Sequence, residues 1–215
     1  EVPGIQQLLS ARATALEKGN KLHLGLGQRM WSGLYPGSGL YSLSILPKYL
    51  DREIRNSGAM RVSSGDGVLT VLARQIIQNQ YGDGYSFLLD QNSVKSDLPG
   101  PTPASSTTGL LNLLSFEKVS SLTLVGNYGL ESVLFSEALH TNGGAFFSAV
   151  GNLTSQAALY PSTKDLLIGE NIFLLPVAFS GKDGTQPAWI TEDILRIVVM
   201  ILMVAAVVLK LVGLL

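Results

Sequence analysis

Apolar residues along this chain follow two spacings, one typical of buried strands and one typical of amphipathic helices. Short β-type runs occur at 21–26, 59–64, 120–125, 145–150 and 164–168. Between them, apolar residues recur near the 3.6-residue helical period, as in "GVLTVLARQIIQNQYGDG". Strand and helix alternate repeatedly, which predicts parallel strands joined by right-handed crossovers. The predicted fold is therefore α/β, with an open, mainly parallel, Rossmann-like sheet flanked by helices.

Three segments depart from this regular alternation of strands and helices. A sixth strand near 93–98 is weakly marked. Pro47 lies inside the second helical segment and should kink or divide it, because the proline ring removes one helical hydrogen bond. The stretch "SDLPGPTPASSTTG", from Ser96 to Gly109, contains several prolines and is predicted to be a surface loop before the next helix.

A long apolar run, "ILRIVVMILMVAAVVLKLVGLL", extends from Ile194 to Leu215 and is interrupted only by Arg196 and Lys210. A helix over this run would be roughly 33 Å long at ~1.5 Å per residue, enough to cross a hydrocarbon core of about 30 Å. A buried core helix is the alternative, but such helices are rarely apolar on all sides. The sequence therefore predicts an α/β domain over 1–188 and a C-terminal transmembrane helix over 189–215. It does not indicate which membrane face carries the domain.

Composition excludes several kinds of chemistry. The chain has 215 residues, with Lys+Arg 15 against Asp+Glu 16, so it lacks the positive excess that favours nucleic-acid binding. Cysteine is absent, which rules out disulfides, thiolate nucleophiles and cysteine-ligated metals. Two scattered histidines and no paired carboxylates give no metal-ligand spacing. No metal, cofactor or nucleic-acid partner is predicted.

Polar, glycine-bearing turns follow the predicted strands: "GLGQR", "SSGDG", "GNYGLES", "GNLTSQ" and "GENIF". Ligands of open parallel sheets bind outside the carboxyl ends of the strands, where the strand order reverses, and helix N-termini there favour anions. The candidate ligand-binding residues are Gly25, Gly27, Arg29, Ser64, Asp66, Asn127, Glu131, Ser132, Asn152 and Glu170. The alternative is that the glycines only form tight turns and that Asp66 and Asn152 are turn or cap residues.

Catalytic signatures are missing from the sequence. "GLGQRMWSG" departs from the dinucleotide fingerprint, "PGSGLYS" lacks the lysine of a phosphate-binding loop, and no G-x-S-x-G elbow occurs. His23 is predicted mid-strand and His140 at a helix end, both in structural roles. No catalytic residue is assigned, and an enzyme is disfavoured without being excluded.

Five segments of the chain carry a further pattern: "ALEKGNKLHLGLG", "GLYSLSIL", "VGNYGLESVLFSEA", "GAFFSAVGNLTSQ" and "DLLIGENIF". In these segments the chain resembles an uncharacterised bacterial membrane-protein family, a domain of unknown function common in green non-sulfur bacteria. Pro47 and the proline-rich loop depart from the family's pattern. The resemblance implies the same architecture and a further transmembrane helix before Glu1. It implies no catalytic residues, because the family has no established activity.

Three functions are expected, in decreasing order of preference. The first is a membrane-anchored scaffold or assembly subunit, homo-oligomeric or part of a membrane complex, with the lipid bilayer as a partner. The second is a binding or sensor module for a small anionic or nucleotide-like ligand in the strand-end crevice. The third is a membrane-bound enzyme, for which Glu131, Asp66 and Arg29 are the available groups. The expected localisation is a membrane crossed at least once.

Overall fold

The computed structural model describes residues 3–29, 38–50, 54, 57, 60–81, 94–117, 119–163, 166–180 and 186–211. The chain divides into two compact units, Glu1–Leu175 and Pro176–Leu215. The first unit contains the sheet and the helices that cover it. The second contains the long helix near the end of the chain.

The first unit is built on a five-stranded parallel sheet with the order β3-β2-β1-β4-β5. Its strands are β1 (Lys21–Gly25), β2 (Met60–Ser63), β3 (Lys95–Asp97), β4 (Val119–Gly126) and β5 (Ala145–Val150). From β1 the chain builds outward through β2 to β3, then returns to the other side of β1 to add β4 and β5. The strand order therefore reverses between β1 and β4. This confirms the predicted α/β class and the parallel, Rossmann-like sheet.

Helices cover both faces of the sheet. They are α1 (Pro3–Glu17), α2 (Ser38–Tyr49), α3 (Gly67–Tyr81), α4 (Pro103–Phe116), α5 (Ser132–Thr141) and α6 (Leu153–Leu159). A 3-10 helix, Gly169–Leu174, and α7 (Leu175–Ser180) follow. The Tyr49 hydroxyl of α2 lies 3.2 Å from the Thr123 hydroxyl of β4, whereas Leu122, the preceding residue, packs with Leu110 of α4 and Phe135 of α5. Neighbouring strand residues point to opposite faces, so α2 and the α4–α5 pair lie on opposite sides.

One cluster of buried apolar residues forms the core between β4 and the helices α4 and α5. Leu122 and Leu124 of β4, Phe135 and Leu139 of α5, and Tyr128 are all buried in one cluster. Burying a side chain of this size stabilises the folded state by about 1.5–3 kcal/mol. The apolar residues of β4 and those of α5 are therefore buried against each other in this cluster, and Tyr128, which follows β4, is packed with them.

One weakly marked strand is confirmed, and one helix boundary is corrected. The weakly marked strand is real: β3 pairs with β2 along Arg61, Val62 and Ser63. The helix expected after the proline-rich loop begins earlier, at Pro103, because Thr102 caps it and forms a reciprocal capping box with Ser105.

Two further predictions have a mixed outcome. Helix α2 continues through Pro47 and ends two residues later, at Tyr49, so the kink or division expected at Pro47 stays a prediction. For the strand predicted at 164–168, the structure shows a single parallel bridge between Leu166 and Ser148 and no longer pairing among the described residues, while 164 and 165 lie outside them. A six-residue 3-10 helix begins directly afterwards, at Gly169.

Helix α8 runs from Gln186 to Leu211 and has 26 residues. Its side chains are described without interruption from Ile194 to Ala206, and its large apolar residues from Ile194 to Val204 are exposed. Across the described part of the chain, no helix is both long enough and apolar enough to cross a membrane. The transmembrane helix predicted from the sequence is thus not supported by the structure and stays a prediction.

Candidate functional site

A pocket of about 140 Å³ lies at the carboxyl ends of β1 and β4. Its lining residues are Gln28, Arg29, Pro103, Asn127, Tyr128, Gly129, Glu131 and Asn152. The turns after β1, β4 and β5 and the first turn of α4 each contribute to it. The pocket sits where the strand order reverses, which is the position where open parallel sheets bind ligands.

Backbone hydrogen bonds join the turn after β1 to the turns after β4 and β2. The Gln28 N–H donates to the Asn127 carbonyl over 2.8 Å, and the Gly65 N–H donates to the Gly27 carbonyl over 3.0 Å. Gly27 and Gly126 have φ of 94° and 111°, a region that disfavours other residues. The turns therefore have a defined shape before any ligand arrives.

Tyr128 is the aromatic residue of the pocket lining. Its ring is buried and meets Phe135 edge-on at 6.2 Å between centroids. A Cβ on Gly25 would collide with the Tyr128 hydroxyl, so the glycine makes room for this side chain. Burial raises the pKa of Tyr128 well above its usual range, an effect opposed by a backbone hydrogen bond with Gly27. Tyr128 therefore stays protonated and supports the pocket as a neutral group.

Asn127 is the most unusual lining residue. It is 3% exposed, and neither Oδ1 nor Nδ2 has a hydrogen-bond partner among the residues that the structure describes. Leaving a buried polar group unsatisfied costs about 1–3 kcal/mol, and native structures contain few such groups. Asn127 thus brings to the pocket lining a buried amide whose oxygen acceptor and NH₂ donor the described protein leaves unmatched.

Charges of both signs line the same pocket. Arg29 is exposed and makes no ion pair with any residue in the described ranges. Glu131 accepts a 2.6 Å hydrogen bond on Oε1 from the Gly129 N–H. Its carboxylate is thereby held against the turn that follows β4, while the Arg29 guanidinium is available to a ligand.

Several candidate residues serve as caps or turn contacts. Asp66 Oδ1 accepts from the backbone N–H of Val68 over 2.8 Å and that of Leu69 over 3.3 Å, which caps α3. The Ser132 hydroxyl donates to the Gly129 carbonyl over 2.9 Å. The Ser64 hydroxyl donates to the Gly27 carbonyl over 2.8 Å. These side chains hold the turns in place. For Asp66, this is the turn or cap role that the sequence offered as the alternative to ligand binding.

Asn152 combines both roles. Its Oδ1 accepts from the Thr154 N–H over 3.1 Å and from the Thr154 hydroxyl over 3.0 Å, which caps α6. The residue also lines the pocket. The cap orients the side chain at the pocket rim.

The sequence-derived candidates thus fall into three groups. Arg29, Asn127, Glu131 and Asn152 line the pocket. Gly25, Gly27, Ser64, Asp66 and Ser132 shape or brace the turns. Glu170 lies in the 3-10 helix, and its side chain is outside the described set.

Sequence reasoning missed Gln28, Pro103, Tyr128 and Gly129 as lining residues. Gln28, Tyr128 and Gly129 belong to turns that the sequence had already singled out, so proximity to Gly27 and Asn127 was an available signal. Pro103 lies in the segment that the sequence predicts to be a loop, and its capped position at the start of α4 brings it to the pocket.

The buried histidine lies apart from the pocket's lining. His23 Nε2 and the Ser63 hydroxyl are 2.7 Å apart, and the residue is 1% exposed. Burial lowers its pKa to about 4, with Glu117 opposing the shift and Arg61 adding to it. No group of three or more potential metal ligands occurs among the described residues.

A second cavity, of about 740 Å³, lies beside the edge strand β5 and includes His140, Phe146 and Tyr160 in its lining. None of its lining side chains is among the buried polar groups that lack a partner in the described structure. The smaller pocket is therefore the better candidate for specific binding.

Comparison of the chain with protein-family models, characterised proteins and solved structures returned no match. The interpretation of the site thus depends on its own geometry and chemistry.

Proposed function

We propose that this chain is a membrane-tethered module that binds a small polar ligand in the pocket between β1 and β4. The observation that carries the proposal is the buried Asn127 amide, whose donor and acceptor atoms both lack partners in the described structure. A ligand that supplies an acceptor and a donor would remove the cost of burying this amide.

The size of the pocket limits the ligand. Its volume of about 140 Å³ is close to that of an engineered cavity of roughly 150 Å³ that holds benzene. The ligand, or the part of a larger ligand that enters, is therefore small. The polar lining favours a polar molecule over a hydrocarbon of the same size.

Membrane attachment through α8 is the second part of the proposal. The described side chains from Ile194 to Ala206 would cover only about 20 Å along a helix, which is shorter than a hydrocarbon core. The apolar sequence continues to Leu215, and the complete run from Ile194 has the required length. Exposed apolar side chains on this helix favour a lipid environment.

The binding proposal is tested by comparing two amide-to-leucine variants. Asn127→Leu removes an unsatisfied buried amide and should leave the free energy of unfolding unchanged or raise it by about 1 kcal/mol. Gln156→Leu is the matched control. The Gln156 amide is buried but bonded, donating to the Val150 carbonyl over 2.7 Å and accepting from the Gly169 N–H over 3.4 Å.

Chemical denaturation of the ligand-free protein measures both variants. Gln156→Leu should lose about 1–3 kcal/mol because it leaves backbone groups without their partners. If Asn127→Leu loses as much, the Asn127 amide is satisfied within the folded protein and the binding proposal is wrong.

A homo-oligomeric assembly role is the second candidate function. It is favoured by exposed apolar residues on one helix, since Val68 and Val71 of α3 are 54% and 62% exposed and Leu72 is also exposed. Such a patch fits contact with a second copy of the chain. The two functions are compatible, because α3 contributes no residue to the pocket lining.

A further inference from the structure

We infer that the ligand carries an amide-like edge, which pairs with Asn127, and an anionic group, which pairs with Arg29. This inference rests on the proposed binding function and specifies its ligand class. It follows from the hydrogen-bonding capacity of Asn127, the charge of Glu131 and the exposure of Arg29.

The Asn127 side chain selects a donor placed next to an acceptor. An asparagine amide offers an oxygen acceptor and an NH₂ donor side by side, and both are unpaired and buried here. Hydrogen bonds fix the backbone around Asn127. The Asn127 carbonyl accepts from the Gln28 N–H, and the Gly126 carbonyl accepts from the Gly151 N–H over 2.9 Å. A carboxamide or a lactam edge satisfies both side-chain atoms together.

Glu131 disfavours a carboxylate on the part of the ligand that pairs with Asn127, here called the inner group. Its carboxylate lines the same pocket and is held by the short hydrogen bond from Gly129. A second negative charge beside Asn127 would be repelled and could not donate a proton to Oδ1. The inner group is therefore neutral, and an amide fits where an acid does not.

Arg29, an exposed lining residue, supplies the opposite preference. Its guanidinium is exposed and makes no ion pair with a described residue. The planar guanidinium binds carboxylate or phosphate through two parallel hydrogen bonds. A small molecule with an amide at one end and an anion at the other would reach both groups.

Three isosteric or near-isosteric probes test the assignment: succinamate carries the amide and the anion, succinate replaces the amide with a second carboxylate, and butanamide lacks the anion. Their dissociation constants are measured by calorimetry on the full chain in lipid discs. Succinamate should bind at least about tenfold more tightly than either of the others, since each loses one of the two paired interactions.

Variants assign each end of the probe to a residue. Arg29→Gln should weaken succinamate about tenfold and leave butanamide unchanged. Asn127→Leu should weaken succinamate and so reduce its preference over succinate, while the repulsion of succinate by Glu131 remains. Lys18→Gln, which removes the same charge, is the control and should not change the binding of any probe. Lys18 is exposed and precedes β1, so it lies near the amino ends of the strands, whereas the pocket lies at their carboxyl ends.

The outcomes separate this inference from the function on which it rests. Equal or tighter binding of succinate would overturn the amide assignment, and binding unaffected by Arg29→Gln would overturn the anion assignment, while the binding function stands in both cases. If no probe binds and Asn127→Leu still stabilises the free protein, the ligand class is wrong. If no probe binds and Asn127→Leu destabilises the protein like Gln156→Leu, both proposals fail.

Discussion

His23 is a single buried side chain that should make the free energy of unfolding depend on pH. Its folded-state pKa of about 4 lies below the usual 6.5 because burial disfavours the charged ring. The unfolded chain therefore binds the proton first as the pH falls. The stabilisation from a neutral His23 is complete above about pH 6.5 and is lost as the pH falls toward 4.

We expect this residue to contribute on the order of 3 kcal/mol to the acid dependence of unfolding. Denaturation at pH 7 and at pH 4.5 should show a larger loss for the wild type than for His23→Gln. Every other ionisable side chain is present in both proteins, so the difference between them isolates His23. An identical pH dependence in the two proteins would mean that the folded protein protonates His23 as readily as the unfolded chain does.

The sequence located several pocket residues but could not reveal the state of their side chains. Arg29, Asn127 and Glu131 were found because they follow strands, and strand ends meet at one edge of a parallel sheet. Whether the Asn127 amide has partners depends on residues distant in sequence. The Gln28 amide, for example, donates to Thr107 over 3.2 Å. Only the folded arrangement distinguishes Asn127 from the bonded Gln156.

At the scale of single elements, the sequence is most informative where burial is strongest. β4 and β5 are buried along nearly their whole length, and their apolar runs predicted them well. β3 has only three residues at the sheet edge and carries little pattern, which is why it was weakly marked. Local capping chemistry at Thr102 and Pro103 outweighed the proline-rich composition that favoured a loop.

Helix α3 carries the prediction for assembly. Val71→Lys places a charge in its exposed apolar patch and should lower the oligomeric state by disrupting contact between copies. Gln78→Lys, a charge added at an exposed polar position of the same helix, is the control. Mass measurement in lipid discs distinguishes the two. A monomeric wild type, or an oligomer unaffected by Val71→Lys, would remove this patch as the contact surface.

For the whole molecule, membrane attachment is tested by placing charge in the apolar run. Val199→Asp combined with Leu202→Asp should release the chain from vesicles, since each charge costs about 2.5–3.5 kcal/mol at the centre of a membrane helix. Phe116→Asp, at a residue that is 86% exposed in the α/β unit, should leave attachment intact. Vesicle flotation after alkaline carbonate treatment reports the result. Release of the wild type by carbonate would contradict the anchor.

The overall architecture of the first unit was predictable because alternation of strands and helices constrains topology strongly. Right-handed crossovers and parallel pairing leave few arrangements for five such strands. The order of strands was not predictable from the pattern, since nothing in the spacing tells whether β4 pairs with β3 or with β1. That choice created the reversal at which the pocket lies.

The hydrogen bonds that join the turns after β1 and β4 also have a kinetic consequence. Because Gln28 and Asn127 are already linked, the pocket needs no loop closure when a molecule enters. Association should then be fast and similar for all ligands small enough to enter, and differences in affinity should lie in how slowly each one leaves. Under the proposed binding function, such a site would follow a rise in ligand concentration rapidly and would empty at a rate set by the residence time of the ligand.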